Sequence, residues 1–338
     1  MAALKKVVLT GEKFYENIVR PVLGDVVPGE NYTNGLAGEF TVLDDVSQSA
    51  KILDITPVSN ILQRRDASCE IEYSALASGN VRRIEVSELY GATKFCRQDF
   101  YQGALKDWRN GDTTFVTKIL GFFKKAIKTD VISNMYFGDI TRNDATNATY
   151  STNKFDGILT QYRRYVASGA IPGAQTFNVP NGDITPANAY AYLKSLYDKQ
   201  PAILNVALPF EKAFYIDRVW FDAYEEYLIA TGATNGEAVN YVQDGIKVRA
   251  FKGIPIFVND FFGPVLAQIT GAAAHFGVLT FRGNFIFATD KKYGEGPNGD
   301  QALSVWYDWD ELTWKYLNVL KAGTAIGAPE LSSLALPA

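Results

Sequence analysis

Between Asp112 and Asp139 apolar side chains recur every three or four positions: Val116, Leu120, Phe123, Ile127, Val131 and Met135. Phe115, Ile119 and Phe122 widen that stripe, and Lys118, Lys124, Lys125 and Lys128 fall opposite it. This period predicts one long amphipathic helix. Asp112 stands where a side-chain oxygen accepts hydrogen bonds from the free N–H groups of the first turn. Gly138 stands where a left-handed glycine ends a helix. About 25 residues at about 1.5 Å each give a rod of roughly 37 Å.

Elsewhere the period is mostly two. Residues 48 to 88 read as a β-hairpin. Cys69, Ile71 and Tyr73 alternate with Glu70 and Glu72, Ser78-Gly79-Asn80 is turn chemistry, and Val81, Ile84 and Val86 return. Arg82 and Arg83 are available to face the two glutamates across the pair. An isolated hairpin is marginal in water, so this one is expected to lie on another chain. Residues 1 to 47 are punctuated by Pro21, Gly24, Pro28, Gly29, Asn31, Asn34 and Gly35, with Phe14, Tyr15, Ile18 and Val19 as a turn or two of helix. They are expected to form an arm that packs on something else. Glu88 to Trp108 is read as partly helical, and Thr141 to Asn153 as a polar loop.

From about residue 156 the pattern is mixed. Thr185-Pro186 opens a helix through Tyr190, Leu193, Leu196 and Tyr197. Ala202 to Leu208 is a strand candidate, Asp217 to Ala230 a helix closed by Gly232, and Lys252-Gly253 a turn between strands at 246–250 and 254–258. Val278 to Phe287 adds strand. Ala302 to Ile326 reads as two long strands joined near Asp308-Trp309-Asp310-Glu311, with Gly323 and Gly327 as bending points.

The 338 residues allow two domains or one elaborated domain. A net charge of −4 offers no overall basic field for nucleic acid. The first residues carry no apolar run long enough for a signal peptide, and no stretch approaches the ~18 apolar residues of a membrane span. Cys69 and Cys96 suit a reducing compartment and read as two buried thiols, with a disulfide between them as the alternative.

Catalytic vocabulary is sparse. His275 is the only histidine, so neither a hydrolase triad nor a multi-histidine metal site can be assembled; it is read as a hydrogen-bonded structural residue. Gly294-Glu295-Gly296-Pro297-Asn298-Gly299 matches the dinucleotide pattern in letters only, because strand follows it and not helix. Asp308 and Asp310 flank Trp309 at a turn, where Asp is common, although paired carboxylates also do acid–base work. That turn, or the stretch Asp290 to Asp300, could hold calcium weakly. Lys124, Lys125, Lys128, Arg142, Arg163 and Arg164 could meet phosphate non-specifically but read first as solvated positions. Many Tyr, Trp and Asn residues with acidic loops keep a carbohydrate- or calcium-dependent binding protein open. A glycoside hydrolase using Asp308 and Asp310 is the remaining alternative.

In order, an extended arm, a hairpin, a long helix, an α/β insertion and two closing strands resemble the major capsid protein of tailed bacteriophages, the Hong Kong 97-type fold. Three stretches carry the likeness. Val86-Ser87-Glu88-Leu89-Tyr90-Gly91-Ala92-Thr93-Lys94-Phe95 through Asp139 is similar to the end of the family's extended loop, its short helix and its spine helix. Phe210 to Tyr227, then Val248 to Asn259, is similar to its axial domain. Trp314 to Glu330 is similar to its last peripheral strand and Pro-Glu ending.

The resemblance implies an α+β fold divided into an N-terminal arm (1–47), an extended β-hairpin loop (48–88), a peripheral domain with the spine helix (89–155), an α/β axial domain (156–300) and closing peripheral strands (301–338). It implies a non-enzymatic protein without cofactor or metal, made in the bacterial host cytoplasm and resident in the virion capsid. Its partners would be copies of itself in pentamers and hexamers, scaffolding, portal and decoration proteins, and packaged double-stranded DNA bound non-specifically, with no membrane. Because the chain starts almost directly with the arm, a separate scaffolding protein is expected, or none. Glu70, Glu72, Arg82, Arg83, Tyr73, Phe14 and Tyr15 are the candidate inter-subunit contacts. Lys51 and Asn318 have the residue types of the isopeptide bond some relatives form, but no matching local motif.

Overall fold

The computed structural model describes residues 40–43, 46, 48–57, 77–96, 126–127, 129–143, 148–231, 241–243, 246–248, 250–290, 303–308, 310–311 and 313–338. In chain order these form β1 (Phe40–Leu43), β2 (Ser49–Pro57), β3 (Ala77–Glu85), β4 (Ser87–Cys96) and a helix end, α1 (129–137). Then come α2 (Ile158–Ala167), β5 (Thr176–Val179), α3 (Pro186–Asp198), α4 (Ala202–Val206), β6 (Lys212–Asp217) and α5 (Arg218–Thr231). The remainder is β7 (Tyr241–Gln243), β8 (Ile246–Val248), β9 (Ala250–Phe251), β10 (Ile254–Asn259), α6 (Phe262–Thr270), β11 (Gly277–Phe281), β12 (Phe285–Thr289), β13 (Leu303–Asp308), β14 (Thr313–Ile326) and β15 (Ser332–Pro337).

The helix end behaves differently from an amphipathic rod. Residues 131–138 are all buried, so no polar face is left to solvent there. Two polar side chains inside it are satisfied by the chain that wraps it. Ser133 donates to the Ser151 carbonyl at 2.7 Å, and Asn134 donates to the same oxygen at 2.8 Å while accepting from the Lys154 N–H at 2.9 Å. Buried polar groups require such partners. Gly138 ends the helix as expected, but not by a left-handed turn, since its φ is not positive. A Cβ there would lie 2.0 Å from the Phe155 carbonyl oxygen, so close approach is what demands glycine. Asp112 and the first half of the predicted helix lie outside the described residues.

A six-stranded mixed sheet runs β5-β15-β11-β6-β10-β9. β6 is buried along its whole length because both faces are covered. Phe214 and Ile216 face the cluster of Trp220 and Tyr224 from α5, Leu193 and Leu196 from α3, and Phe251. Ala213 and Tyr215 face the opposite cluster of Met135, Tyr136 and Phe137 from α1, Tyr162 from α2 and Phe262 from α6. Thr185 caps α3 by accepting from the Asn188 N–H at 3.4 Å, with Pro186 next, as its sequence predicts. The Lys252-Gly253 turn is also as predicted: both residues have positive φ, 50° and 79°, which suits a two-residue hairpin joining β9 to β10.

The second sheet is built on β14. β12 pairs with its Ala322–Ile326 end and β13 with its Thr313–Asn318 end. β4 runs antiparallel along Thr313–Ala322, and β1 extends the sheet beyond β12. Two of the crossovers between the sheets, β11 to β12 and β14 to β15, are fastened by one buried side chain. Asn284 donates to Thr280 Oγ1 at 2.7 Å and to the Ala328 carbonyl at 3.1 Å, and accepts from the Ala328 N–H at 2.7 Å. Beside it, Tyr162 and Ser332 share a hydrogen bond of 2.9 Å, and Ser332 donates to Thr280 at 3.0 Å.

Three local expectations are corrected. Ser87–Cys96, the described start of the Glu88–Trp108 stretch, is strand, because each residue finds a ladder partner more than 200 positions away that local periodicity cannot reveal; residues 97–108 lie outside the described residues. Ser78-Gly79-Asn80 lies within β3, opposite Thr56, Ile55 and Asp54, so it is no turn. Ala202–Val206 is a short helix in which only Leu204 is buried, so there is no two-faced alternation for a strand to use. α6 is an element that the sequence signals only through Pro264 in its first turn and Gly271 at its end, which is left-handed (φ 73°). The sheets also do not part at residue 300: β12 belongs to the sheet of β14, and β15 to the sheet of β6.

Candidate functional site

The hairpin of β2 and β3 is the chain's most unusual feature. Its two strands pair only with each other among the described residues, from Ser49↔Glu85 to Pro57↔Ala77. At its base Ile84 is buried with Val46, Ile286, Ala288 and Ala325. The connection into β4 crosses directly over β14: a Cβ on Gly323 would lie 2.2 Å from the Glu85 carbonyl oxygen and 3.2 Å from Val86 Cα. A side-chain tether sits beside this crossing. Arg82 Nη2 donates to Glu330 at 2.8 Å, and its guanidinium lies 5.6 Å from the centre of the Tyr165 ring. Charge assistance and the ring quadrupole both favour the cation there.

The predicted contact residues are only partly brought together. Arg82 pairs in register with Ile52 and Arg83 with Lys51, so the described ladder does not set either arginine against a glutamate. Arg83 is exposed, whereas Arg82 is largely spent within its own chain on Glu330. Glu70, Glu72, Tyr73, Phe14 and Tyr15 lie outside the described residues. Sequence reading missed Glu330 and Tyr165 as partners of Arg82. A separation of 248 residues from Glu330 leaves no local signal.

Two further surfaces are open. On one face of β4, Glu88, Tyr90, Ala92 and Lys94 are exposed, and Tyr90 keeps 78% of its surface in solvent. Their β14 partners in register are Lys321, Val319, Leu317 and Lys315, so two apolar pairs are bracketed by charge. In and after α4, Ile203, Val206, Leu208 and Phe210 are all exposed, Val206 at 86%. Grouped exposed apolar side chains mark surfaces that meet something other than water.

The titratable residues are spent on structure. Asp308 Oδ1 accepts from the N–H groups of Asp310 and Glu311, and Oδ2 accepts from Lys315 at 2.7 Å. These bonds, the Lys315 ammonium first, hold its carboxyl below the usual range. Asp310 is exposed and joins that arrangement through its main-chain N–H. Of the arginines read as phosphate contacts, Arg164 pairs with Asp156 and Arg142 with Asp139. Burial, with Arg142 nearby, lowers Arg163. His275 is buried and hydrogen-bonded on both nitrogens. Among the described residues no three His, Cys, Asp or Glu side chains are grouped to hold a metal ion. No helix among them is long and apolar enough to cross a membrane. Lys124, Lys125, Lys128 and the Gly294–Gly299 stretch lie outside them.

No protein-family model matches the chain, and no curated protein sequence matches it. Solved structures do. A chain of the satellite phage P4 procapsid, a structure that includes the size determination (Sid) protein, superposes with a TM-score of 0.53 at 8% identity over 88% of this chain and 92% of that one. The capsid of Myoviridae phage XM1 gives a TM-score of 0.52 at 11% identity over 91% and 95%. The fold is a phage capsid fold. Identities this low carry the architecture and not individual residues, so the Arg82 tether and the open faces of this capsid fold rest on their own geometry.

Proposed function

We propose that this chain is the major capsid protein of a tailed bacteriophage, and that it assembles through pentamers and hexamers into an icosahedral shell around packaged double-stranded DNA. The whole-chain likeness to two phage capsid structures carries this proposal, because it spans roughly nine-tenths of both partners in each comparison. In Hong Kong 97 terms, β2 and β3 are the extended loop, α1 is the end of the spine helix, and the sheet of β14 is the peripheral domain. The six-stranded sheet with α3 and α5 is the axial domain.

The physics is that of an assembling subunit. A hairpin whose strands pair only with each other among the described residues, an open face on β4, and exposed Ile203, Val206, Leu208 and Phe210 leave apolar surface that repeated contacts between copies would bury. Head-to-tail contacts that close by rotation make rings. Weak interfaces repeated many times suffice for a shell. Glu70, Glu72, Tyr73 and Arg83, with Phe14 and Tyr15 of the arm, are the proposed contacts with neighbouring copies. Arg82 takes part by fixing the hairpin to its own subunit.

Electron microscopy and sedimentation of the purified chain test this. Closed particles or capsomer-sized rings are expected, and deletion of residues 1 to 30 is expected to abolish them. A monomeric globule that retains its fold without the arm, and binds a sugar or calcium, would refute it.

A further inference from the structure

His275 lies between two exposed loops at one end of the six-stranded sheet, and both of its ring nitrogens meet acceptors. Nε2 is 2.9 Å from the Gly182 carbonyl oxygen, and Nδ1 is 2.7 Å from Asp217 Oδ2. A carbonyl can only accept, so Nε2 carries a hydrogen. Asp217 Oδ1 is already an acceptor for the Trp220 N–H at 2.6 Å, at the start of α5. A carboxylate facing Nδ1 therefore places a second hydrogen on the ring. An imidazole that donates from both nitrogens is a cation. The charged groups that face it are Asp217, from the end of β6, and Asp183, from the loop before α3; both are acidic.

The clasp has a second strand. The Gly182 N–H donates to the Ala273 carbonyl at 2.9 Å, so residues 181–183 are held to the 271–276 loop through both main-chain groups of Gly182. Residues 181–183 and 271–273 are exposed, while His275 beneath them is buried. We propose that His275 is a proton-operated clasp: as a cation it ties loop 181–183 to loop 271–276, and loss of its proton releases loop 181–183.

The direction of release follows from bond strengths. A neutral ring has one N–H. The bond to the carboxylate is charge-assisted and stronger, so the remaining hydrogen stays on Nδ1. The Nε2 lone pair then faces the lone pairs of the Gly182 oxygen across 2.9 Å. Burial pulls the imidazole toward neutrality, but the Asp217 hydrogen bond and charge, the Gly182 carbonyl and the Asp183 charge outweigh it, so its titration is displaced upward. Because His275 is the only histidine, its signal needs no assignment.

The test uses the full chain labelled with 13C-histidine, followed from about pH 5 to about pH 10, with amide hydrogen exchange at the same pH values corrected for intrinsic rates. The imidazole is expected to be doubly protonated at neutral pH. Protection at Gly182 should fall about tenfold with the same midpoint, the equivalent of one buried hydrogen bond. Protection in α3 should stay constant. In His275→Gln, protection at Gly182 should no longer follow pH. A neutral imidazole at pH 7, a ring that keeps one state over the whole range, or a titration that leaves Gly182 unchanged would each overturn the clasp.

Discussion

Replacing Gly323 with alanine probes the joint on which the hairpin depends. The new Cβ would sit 2.2 Å from the Glu85 carbonyl oxygen, 3.1 Å from the Glu85 carbonyl carbon and 3.2 Å from Val86 Cα. All three are main-chain atoms, so no rotamer change relieves the clash. Either β14 or the β3–β4 connection must move by about an ångström. β14 is held by β12 and β4 on its two edges, so the connection is the part that yields. Overpacking of this kind costs about 1–3 kcal/mol, and a main-chain collision belongs at the upper end. At about 2 °C per kcal/mol for a chain of this size, the melting temperature should fall by roughly 6 °C. Gly173→Ala is the matched control. Nothing lies within 4 Å of its Cβ position and its φ is not in the positive range. It should stay within about 0.5 kcal/mol of the parent. The displaced hairpin should also lose the Arg82–Glu330 bond, so Arg82→Ala should cost less in the Gly323→Ala background than alone. Scanning calorimetry on the parent, Gly323→Ala, Arg82→Ala and the double variant, with Gly173→Ala beside them, measures both effects. A Gly323→Ala variant that melts within roughly 1 °C of the parent, with an undiminished Arg82 effect, would refute the proposed crossing.

Other outcomes can be checked with the same instruments. A double-mutant cycle between Arg82→Ala and Glu330→Ala should give a coupling of about 0.5–1 kcal/mol, since partial burial leaves the pair only partly screened by solvent; no coupling would mean that the tether is incidental. Gly263→Ala, in the first turn of α6 with open space around its Cβ, should raise stability by about 0.4–1 kcal/mol, read as a higher melting temperature. The His275 contribution to stability should be complete below about pH 6.5, the ordinary imidazole value. It should disappear as pH rises through the raised folded value. His275→Gln should therefore narrow its gap to the parent at alkaline pH in thermal melts, and a gap that widens would contradict the sign.

Local pattern was enough wherever an element's own side chains decide its state. Thr185-Pro186 announces α3, the apolar face of Val219 to Leu228 announces α5, and Lys252-Gly253 announces a turn with two positive φ angles. The alternation of 313–326 gives the long strand. The order of elements was enough for the capsid likeness, because order survives when identity falls near one residue in ten. Partners were not legible. Nothing near Ser87–Cys96 says that β14 lies beside it, so the stretch from Glu88, able to form either structure, reads as partly helical. Arg82 looks like a cross-strand residue in the hairpin and becomes a tether because Glu330 and Tyr165 arrive from elsewhere.

The same division separates composition from charge state. A single histidine excludes a triad by counting alone. That both of its nitrogens meet acceptors was decided by folding, which brings Asp217 and Gly182 together from 58 and 93 positions away. Propensity and period are short-range and are written into neighbouring residues. Register, burial of a charge and the close approach of main chains depend on which distant segments share space, and only the closed tertiary structure sets that.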